Sequence, residues 1–165
     1  MQKINFLENK ILSQSDALKM AERCRLLGKK IVFTNGCFDI LHVGHADYLA
    51  KAKEQGDFLF IGLNTDASVK RQGKKGNRPI NTENSRALML ASLHVTDAII
   101  LFDELTPYNL IDLLKPDVLV KGSDYKIEEI VGYDIIKKQG GRVITIPFVE
   151  GFSTSSLIEK IKVDI

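Results

Sequence analysis

Between residues 29 and 165 the apolar positions gather into five short, almost unbroken runs, and between the runs they space out at three and four. The runs are Ile31 to Thr34, Phe58 to Leu63, Asp97 to Phe102, Asp117 to Val120 and Val143 to Ile146. Apolar runs of this length, rich in β-branched and aromatic residues, read as strands of a parallel sheet covered on both faces. The connecting stretches read as helices. After His45, Ala46, Leu49, Ala50 and Ala52 line one face, and Thr82 to His94 opens with the N-cap chemistry of Thr82 and Ser85. Thr106-Pro107 starts a helix to about Leu114, Glu128 to Lys138 forms another, and Ser155 to Ile161 forms the last. Upstream, Lys3 to Leu27 keeps helical spacing through Ile4, Leu7, Ile11, Leu18, Ala21, Cys24 and Leu27, with Ser15-Asp16 capping a second helix and Gly28 ending the segment. The pattern predicts a helical arm over residues 1–28 and one α/β domain over 29–165. Strands and helices that alternate through right-handed crossovers give a doubly wound, five-stranded parallel sheet. Ser68 to Asn81 breaks the pattern. It carries Lys70, Arg71, Lys74, Lys75 and Arg78 among glycines and a proline, and it reads as a basic loop after a strand end.

Composition narrows the class without choosing a function. The 165 residues suit one domain with a sizeable core, and 23 basic against 21 acidic residues leave a net charge of +2. That balance gives no reason to expect a nucleic-acid partner. No apolar run reaches the length of a membrane span. The first sixteen residues have no secretory apolar core. Cys24 and Cys37 belong to no zinc or redox pattern, so a reduced, cytoplasmic setting is expected.

The chemistry concentrates between Ile31 and His45, in IVFTNGCFDILHVGH. A strand runs into the Asn35-Gly36 turn, and His42 and His45 follow three residues apart at the start of a helix. Unpaired N–H groups and the positive dipole end make a helix start suitable for phosphate, and Gly44 leaves room for close approach. Two imidazoles there can donate to charge that builds up on a phosphoryl group. Ligands of such sheets sit beyond the carboxyl ends of strands. The turn, the basic loop, Lys121-Gly122-Ser123-Asp124 and Gly151-Phe152-Ser153-Thr154 all follow strand ends, so they are expected to converge.

His42-Val43-Gly44-His45, with Gly36-Cys37-Phe38-Asp39 ahead of it, resembles the HxGH nucleotidylyltransferase superfamily, which has a cytidylyltransferase-like, Rossmann-like fold. Asp117 to Asp124 resembles its KGxD segment, and Gly151 to Ser155 resembles its GISTT segment. Within the superfamily, TNGCFDILHVGH, NTDASVKR, NRPIN, LVKGSDY and EEIVG are similar to the adenylyltransferase domains of heptose-phosphate kinase/adenylyltransferases and their standalone versions. The resemblance implies transfer of AMP from ATP to D-glycero-β-D-manno-heptose 1-phosphate. The products are ADP-heptose, a lipopolysaccharide core precursor, and pyrophosphate. It also implies a two-fold dimer, and a separate kinase followed by a phosphatase to supply the substrate.

On that reading His42, His45 and Lys70 are the catalytic residues, with Lys74 as the second candidate for the phosphate clamp. The nucleotide is expected along Thr34, Asn35, Gly36, Cys37, Phe38, Asp39 and Gly44, with Arg86, Lys121, Gly122, Asp124, Ser153 and Thr154. Mg²⁺ is expected to be held by phosphates and water rather than by side chains, with Asp39 as a possible contact. One departure bears on the base. Cytidylyltransferases of this fold carry an arginine-threonine pair where Phe148-Val149 stands here. The alternatives are CTP-dependent transfer to glycerol 3-phosphate or a related small phosphate, and a catalytically silent nucleotide-binding module. A dinucleotide-dependent dehydrogenase is disfavoured because no GxGxxG follows the first strand.

Overall fold

The computed structural model describes residues 5–73, 77–123 and 126–163. In chain order the elements are α1 (Asn5–Glu8), β1 (Ile11–Leu12), α2 (Gln14–Leu26), β2 (Ile31–Gly36), α3 (Val43–Lys53), β3 (Phe58–Asn64), α4 (Asp66–Arg71), α5 (Glu83–Ala91), β4 (Ala98–Phe102), α6 (Tyr108–Leu114), β5 (Val118–Gly122), a 3-10 turn (Ile127–Glu129), α7 (Tyr133–Lys138), β6 (Arg142–Ile146) and α8 (Thr154–Val163). The strands form one sheet in the order β1-β4-β3-β2-β5-β6, and every pairing is parallel. The doubly wound α/β architecture is as the hydrophobic runs predict.

The sheet has six strands rather than five, and the added one lies in the segment expected to be helical. Ile11 and Leu12 pair with Ile99 and Ile100 at the edge, and the Ile99 N–H donates to the Lys10 carbonyl at 2.8 Å. A strand of two residues is too short to leave an alternating signature. Ser13, not Ser15, caps the helix that follows, its Oγ accepting from the Asp16 N–H at 3.1 Å. Helix α2 then buries Ala17, Ala21 and Cys24 in the core beneath the sheet, so residues 14–26 pack into the body of the domain.

Side chains alternate across the pleat, and this alternation builds two cores. Ile31, Phe33, Phe60, Ile100 and Leu119 pack with α2 and α6 on one face. Val32, Leu59, Ile61, Leu63, Ile99 and Val118 pack with α3 and α5 on the other. Strand β2 lies at the centre, and the connections after β2 and β5 leave toward opposite edges. The crevice between their carboxyl ends is the topological switch point, where doubly wound sheets bind ligands.

Three stretches around that crevice depart from expectation. The segment predicted as a basic loop opens as helix α4, capped by Thr65, whose Oγ1 accepts from the Ser68 N–H at 3.1 Å. Lys121 and Gly122 are the last residues of β5 rather than residues beyond it. The helix expected over 128–138 is a 3-10 turn, an extended Ile130 and then α7. Lys74 and Asp124 lie outside the described residues. No helix among the described residues is long and apolar enough to cross a membrane.

Candidate functional site

A cavity of about 670 Å³ opens at the switch point, lined by residues that follow β2, β3, β4, β5 and β6. Of the residues the sequence singles out, Asn35, Gly36, Cys37, Phe38, His42, Gly44, His45, Lys121, Gly122, Ser153 and Thr154 all line it.

The histidines owe their place to how β2 ends and α3 begins. His42 is the N-cap of α3, in extended conformation, and its carbonyl accepts from the His45 N–H at 2.9 Å. That geometry stacks the two rings, with centroids 3.8 Å apart and planes 23° from parallel. Phe38, held at φ 43° inside the turn, sets its ring against the His45 ring at 5.3 Å. Gly44 makes the stack possible: a Cβ there would stand 3.0 Å from His42 Nδ1 and 3.3 Å from Phe152 Cβ. Both Nδ1 atoms are buried and make no hydrogen bond within the protein. Burial lowers the His42 pKa. Burial, and second the facing His42, push His45 down to about 4. At neutral pH the pair is therefore two neutral rings beside the positive end of a helix, each with one N–H to donate.

Thr34, Asp39 and Arg86 do not line the cavity; they build its frame. The Thr34 hydroxyl hydrogen-bonds the Tyr48 hydroxyl at 2.8 Å inside the core. Asp39 is 3% exposed and accepts from Arg78 Nε at 2.6 Å, from the Ile80 N–H at 2.8 Å and from the Asn81 N–H at 2.9 Å. Burial works to raise its pKa, but the Asn81 and Ile80 amides and the Arg78 charge outweigh it and hold the carboxyl below the usual range. Asp39 therefore pins residues 78–81 to the turn and is not offered to a metal. Arg86, expected at a phosphate, is 1% exposed. It donates to the carbonyls of Cys37 at 2.6 Å, Asn64 at 2.8 Å and Asn81 at 3.1 Å, and to the Asp66 carboxylate at 2.7 Å. Lys70 is exposed on α4 and is not among the lining residues, although Gln72, two positions on, is.

The cavity also takes in residues the sequence reading does not place there: Tyr48, Asn64, Gln72, Thr106 and Glu129. Asn64 ends β3 and Thr106 follows β4, so the strand-end rule that finds the other segments also reaches these two. Cys37 Sγ donates to Gln72 Oε1 at 3.3 Å, a contact between distant residues that carries no sequence signal. Phe148 and Phe152, 60% and 46% exposed, put aromatic surface at the rim, with the Phe148 ring 6.4 Å from Tyr48.

Comparison with known proteins agrees with this geometry. The Cytidylyltransferase-like family profile matches residues 33–160. The chain is 53% identical over 156 residues to the bifunctional protein HldE of Wolinella succinogenes, and 54% identical over 155 residues to that of Campylobacter jejuni subsp. jejuni. Each match covers 94% of this chain but 32% of the relative, so the chain spans about a third of the length of these curated relatives. The crystal structure of a lipopolysaccharide core biosynthesis protein from Thermoplasma volcanium GSS1 matches with a TM-score of 0.61 and 34% identity, over 74% of this chain and 98% of that one. A pantoate-beta-alanine ligase from Francisella tularensis, complexed with beta-gamma ATP and beta-alanine, matches with a TM-score of 0.60 at 16% identity and shares the fold alone. The HxGH turn at the switch point and the match across residues 33–160 agree, and the chain belongs to the cytidylyltransferase-like family of nucleotidyltransferases.

Proposed function

We propose that the protein transfers an adenylyl group from ATP to a sugar 1-phosphate, with D-glycero-β-D-manno-heptose 1-phosphate as the preferred acceptor. The observation that carries this reading is the stacked His42–His45 pair at the amino end of α3, in one cavity with Ser153 and Thr154. The heptose acceptor is supported by the likeness to the HldE proteins and to the lipopolysaccharide core biosynthesis protein.

An oxygen of the sugar phosphate attacks the α-phosphorus of ATP. A phosphorus–oxygen bond forms to the sugar phosphate, the bond to pyrophosphate breaks, and pyrophosphate leaves with the electron pair. The nucleophile is already an anion, so no general base is needed, and catalysis is positioning and charge stabilisation. His42 and His45 donate to the α-phosphate oxygens, and the first amides of α3 add their dipoles. Ser153 and Thr154, ahead of and at the start of α8, hold the outer phosphates with Lys70 or Lys74 from the segment after β3, while Lys121 at the end of β5 meets the phosphate of the acceptor. The aromatic rim of Phe148 and Phe152 offers flat apolar surface to the base. The donor set suits a magnesium ion that arrives on the nucleotide. Glu129 is the one carboxylate among the described lining residues, and no cluster of three or more metal-ligating side chains occurs among the described residues. Mg²⁺ bound to the triphosphate supplies charge neutralisation.

The test is pyrophosphate release with ATP, CTP, GTP and UTP against heptose 1-phosphates of both anomers, hexose 1-phosphates and glycerol 3-phosphate. The expected result is ATP with β-heptose 1-phosphate as the most efficient pair. A preference for CTP with glycerol 3-phosphate would replace this reading with the cytidylyl one, and tight ATP binding without turnover would make the protein a binding module.

A further inference from the structure

The cavity has two chemically different walls, one on each face of the sheet. On the α3 face stand the histidine pair, Gly44, Phe152, Ser153 and Thr154, which are donors, amide dipoles and apolar surface. On the α6 face stand Thr106 and Pro107, which lead into α6, Glu129 to Val131, whose Ile130 belongs to the α6 core, and Lys121, which alternates with Leu119 of that core along β5.

Asn35 belongs to this second wall. Ile31 and Phe33 of β2 face α2 and α6, and alternation puts Asn35 on the same side. Its neighbour in the sheet confirms the direction. Asn35 pairs with Gly62 of β3, and a Cβ on Gly62 would stand 3.2 Å from Asn35 Cβ and 3.3 Å from Leu110 Cδ2 of α6. Asn35 Oδ1 is buried and accepts no hydrogen bond from the protein. An acceptor shut away from water without a donor is costly, and a bound ligand that brings a donor relieves it. Glu129, on the same side, is a second acceptor and carries a negative charge. Its neighbouring cation is Lys126, at 3.6 Å.

Those two groups discriminate between the parts of the two substrates. Phosphate oxygens are acceptors and anions; they cannot satisfy Asn35 Oδ1, Glu129 repels them, and Lys121 offers this wall the charge to match one phosphate rather than three. A sugar ring with several hydroxyls brings the donors that both groups lack. Resting on the adenylyl-transfer reading above, we infer that the α6 wall is the acceptor subsite: Asn35 Oδ1 and the Glu129 carboxylate accept hydrogen bonds from sugar hydroxyls, while the nucleotide phosphates lie along the α3 wall. Asn35 thereby serves the sugar rather than the nucleotide. The site selects a polyhydroxylated, singly phosphorylated acceptor over a short alkyl phosphate or one with a second phosphate.

The experiment is steady-state kinetics on the whole chain with Mg-ATP, comparing Asn35→Leu and Glu129→Leu with the unsubstituted protein. Acceptors are the most active sugar 1-phosphate and its monodeoxy analogues. The expected result is a tenfold or larger rise in KM for the sugar phosphate, with KM for ATP within twofold. The matching deoxy analogue, penalised by the unsubstituted protein, loses nothing further in the variant. A merely structural role would not produce that non-additivity. The inference is overturned if the deoxy analogues are penalised equally in protein and variants, or if the rise falls on ATP. Glu129 is on the surface, so Glu129→Leu keeps the test decisive if Asn35→Leu does not fold. Failure of the parent reading looks different: the unsubstituted protein releases no pyrophosphate with any sugar 1-phosphate, and the acceptor subsite falls with it.

Discussion

At the scale of single residues, His42 and His45 combine proximity with neutrality. Unfolded imidazoles titrate near 6.5, whereas folded His45 titrates near 4 and His42 is also depressed. Between those values the unfolded chain binds more protons than the folded one, so stability rises with pH there. The contribution is fully present above about pH 6.5 and is lost as the pH falls through about 4. One ring contributes a slope of at most about 1.4 kcal/mol per pH unit. Urea titrations at pH 7, 6, 5 and 4 are expected to show the decline, and His45→Gln is expected to flatten it; an unchanged slope in the variant would assign the decline to other groups. Catalysis tests the same rings. His42→Ala is expected to lower kcat by about 10²–10³, the usual cost of one donor to a developing oxyanion. Gly44→Ala places a Cβ 3.0 Å from His42 Nδ1, so it is expected to disturb the stack and cut turnover with both histidines present. Full turnover in either variant would remove the pair from the reaction.

At the scale of elements, the frame of the site is tied by charge inside the protein. Arg86 projects from α5 and gathers the carbonyls that end β2 and β3, together with Asn81, while Asp39 fixes residues 78–81 to the β2 turn. Arg86→Met leaves three carbonyls and Asp66 without their donor, and is expected to cost about 2–4 kcal/mol in urea unfolding. A loss below about 1 kcal/mol would mean that water replaces the guanidinium freely. These ties also mark where sequence reading stops. Strands β2 to β6, α3, the Thr82 cap and the HxGH turn are legible because each leaves a local pattern: an apolar run, a capping hydroxyl, a glycine between two histidines. Arg86 is not, because an arginine on an amphipathic helix looks the same whether it reaches solvent or a buried ring of carbonyls. Lys70 has only its charge and its position after a strand to mark it, signals that an ordinary surface lysine shares. Ile11–Leu12 falls within a helical spacing because two residues cannot display a period of two. That strand supports a separate prediction. Removing residues 1–12 uncovers the Ile99–Ile100 edge of β4, and is expected to lower the urea midpoint and promote association, seen by light scattering. A truncated chain as stable and monodisperse as the whole would make β1 dispensable.

At the scale of the molecule, the sheet order does the assembling. Five strands end around one crevice, and each contributes a short segment that would be useless alone: the turn and histidine helix after β2, Asn64 at the end of β3, Thr106 after β4, Lys121 and Gly122 on β5, and Ser153-Thr154 after β6. A ligand in that crevice touches connections from both edges of the sheet, so its binding energy opposes unfolding of the whole domain. This gives the molecule-scale prediction. Mg-ATP at a hundred times its dissociation constant is expected to stabilise the folded state by about 2.7 kcal/mol. For a domain of this size that corresponds to a rise in Tm of about 5–10 °C. Adding a non-reacting sugar phosphonate should raise Tm again, because the α6 wall is still open when the nucleotide is bound. Gly44→Ala should lose most of the first increment, because its Cβ crowds the histidine side of the cavity. A nucleotide shift that survives Gly44→Ala intact would place the triphosphate away from α3 and would take the proposed chemistry with it.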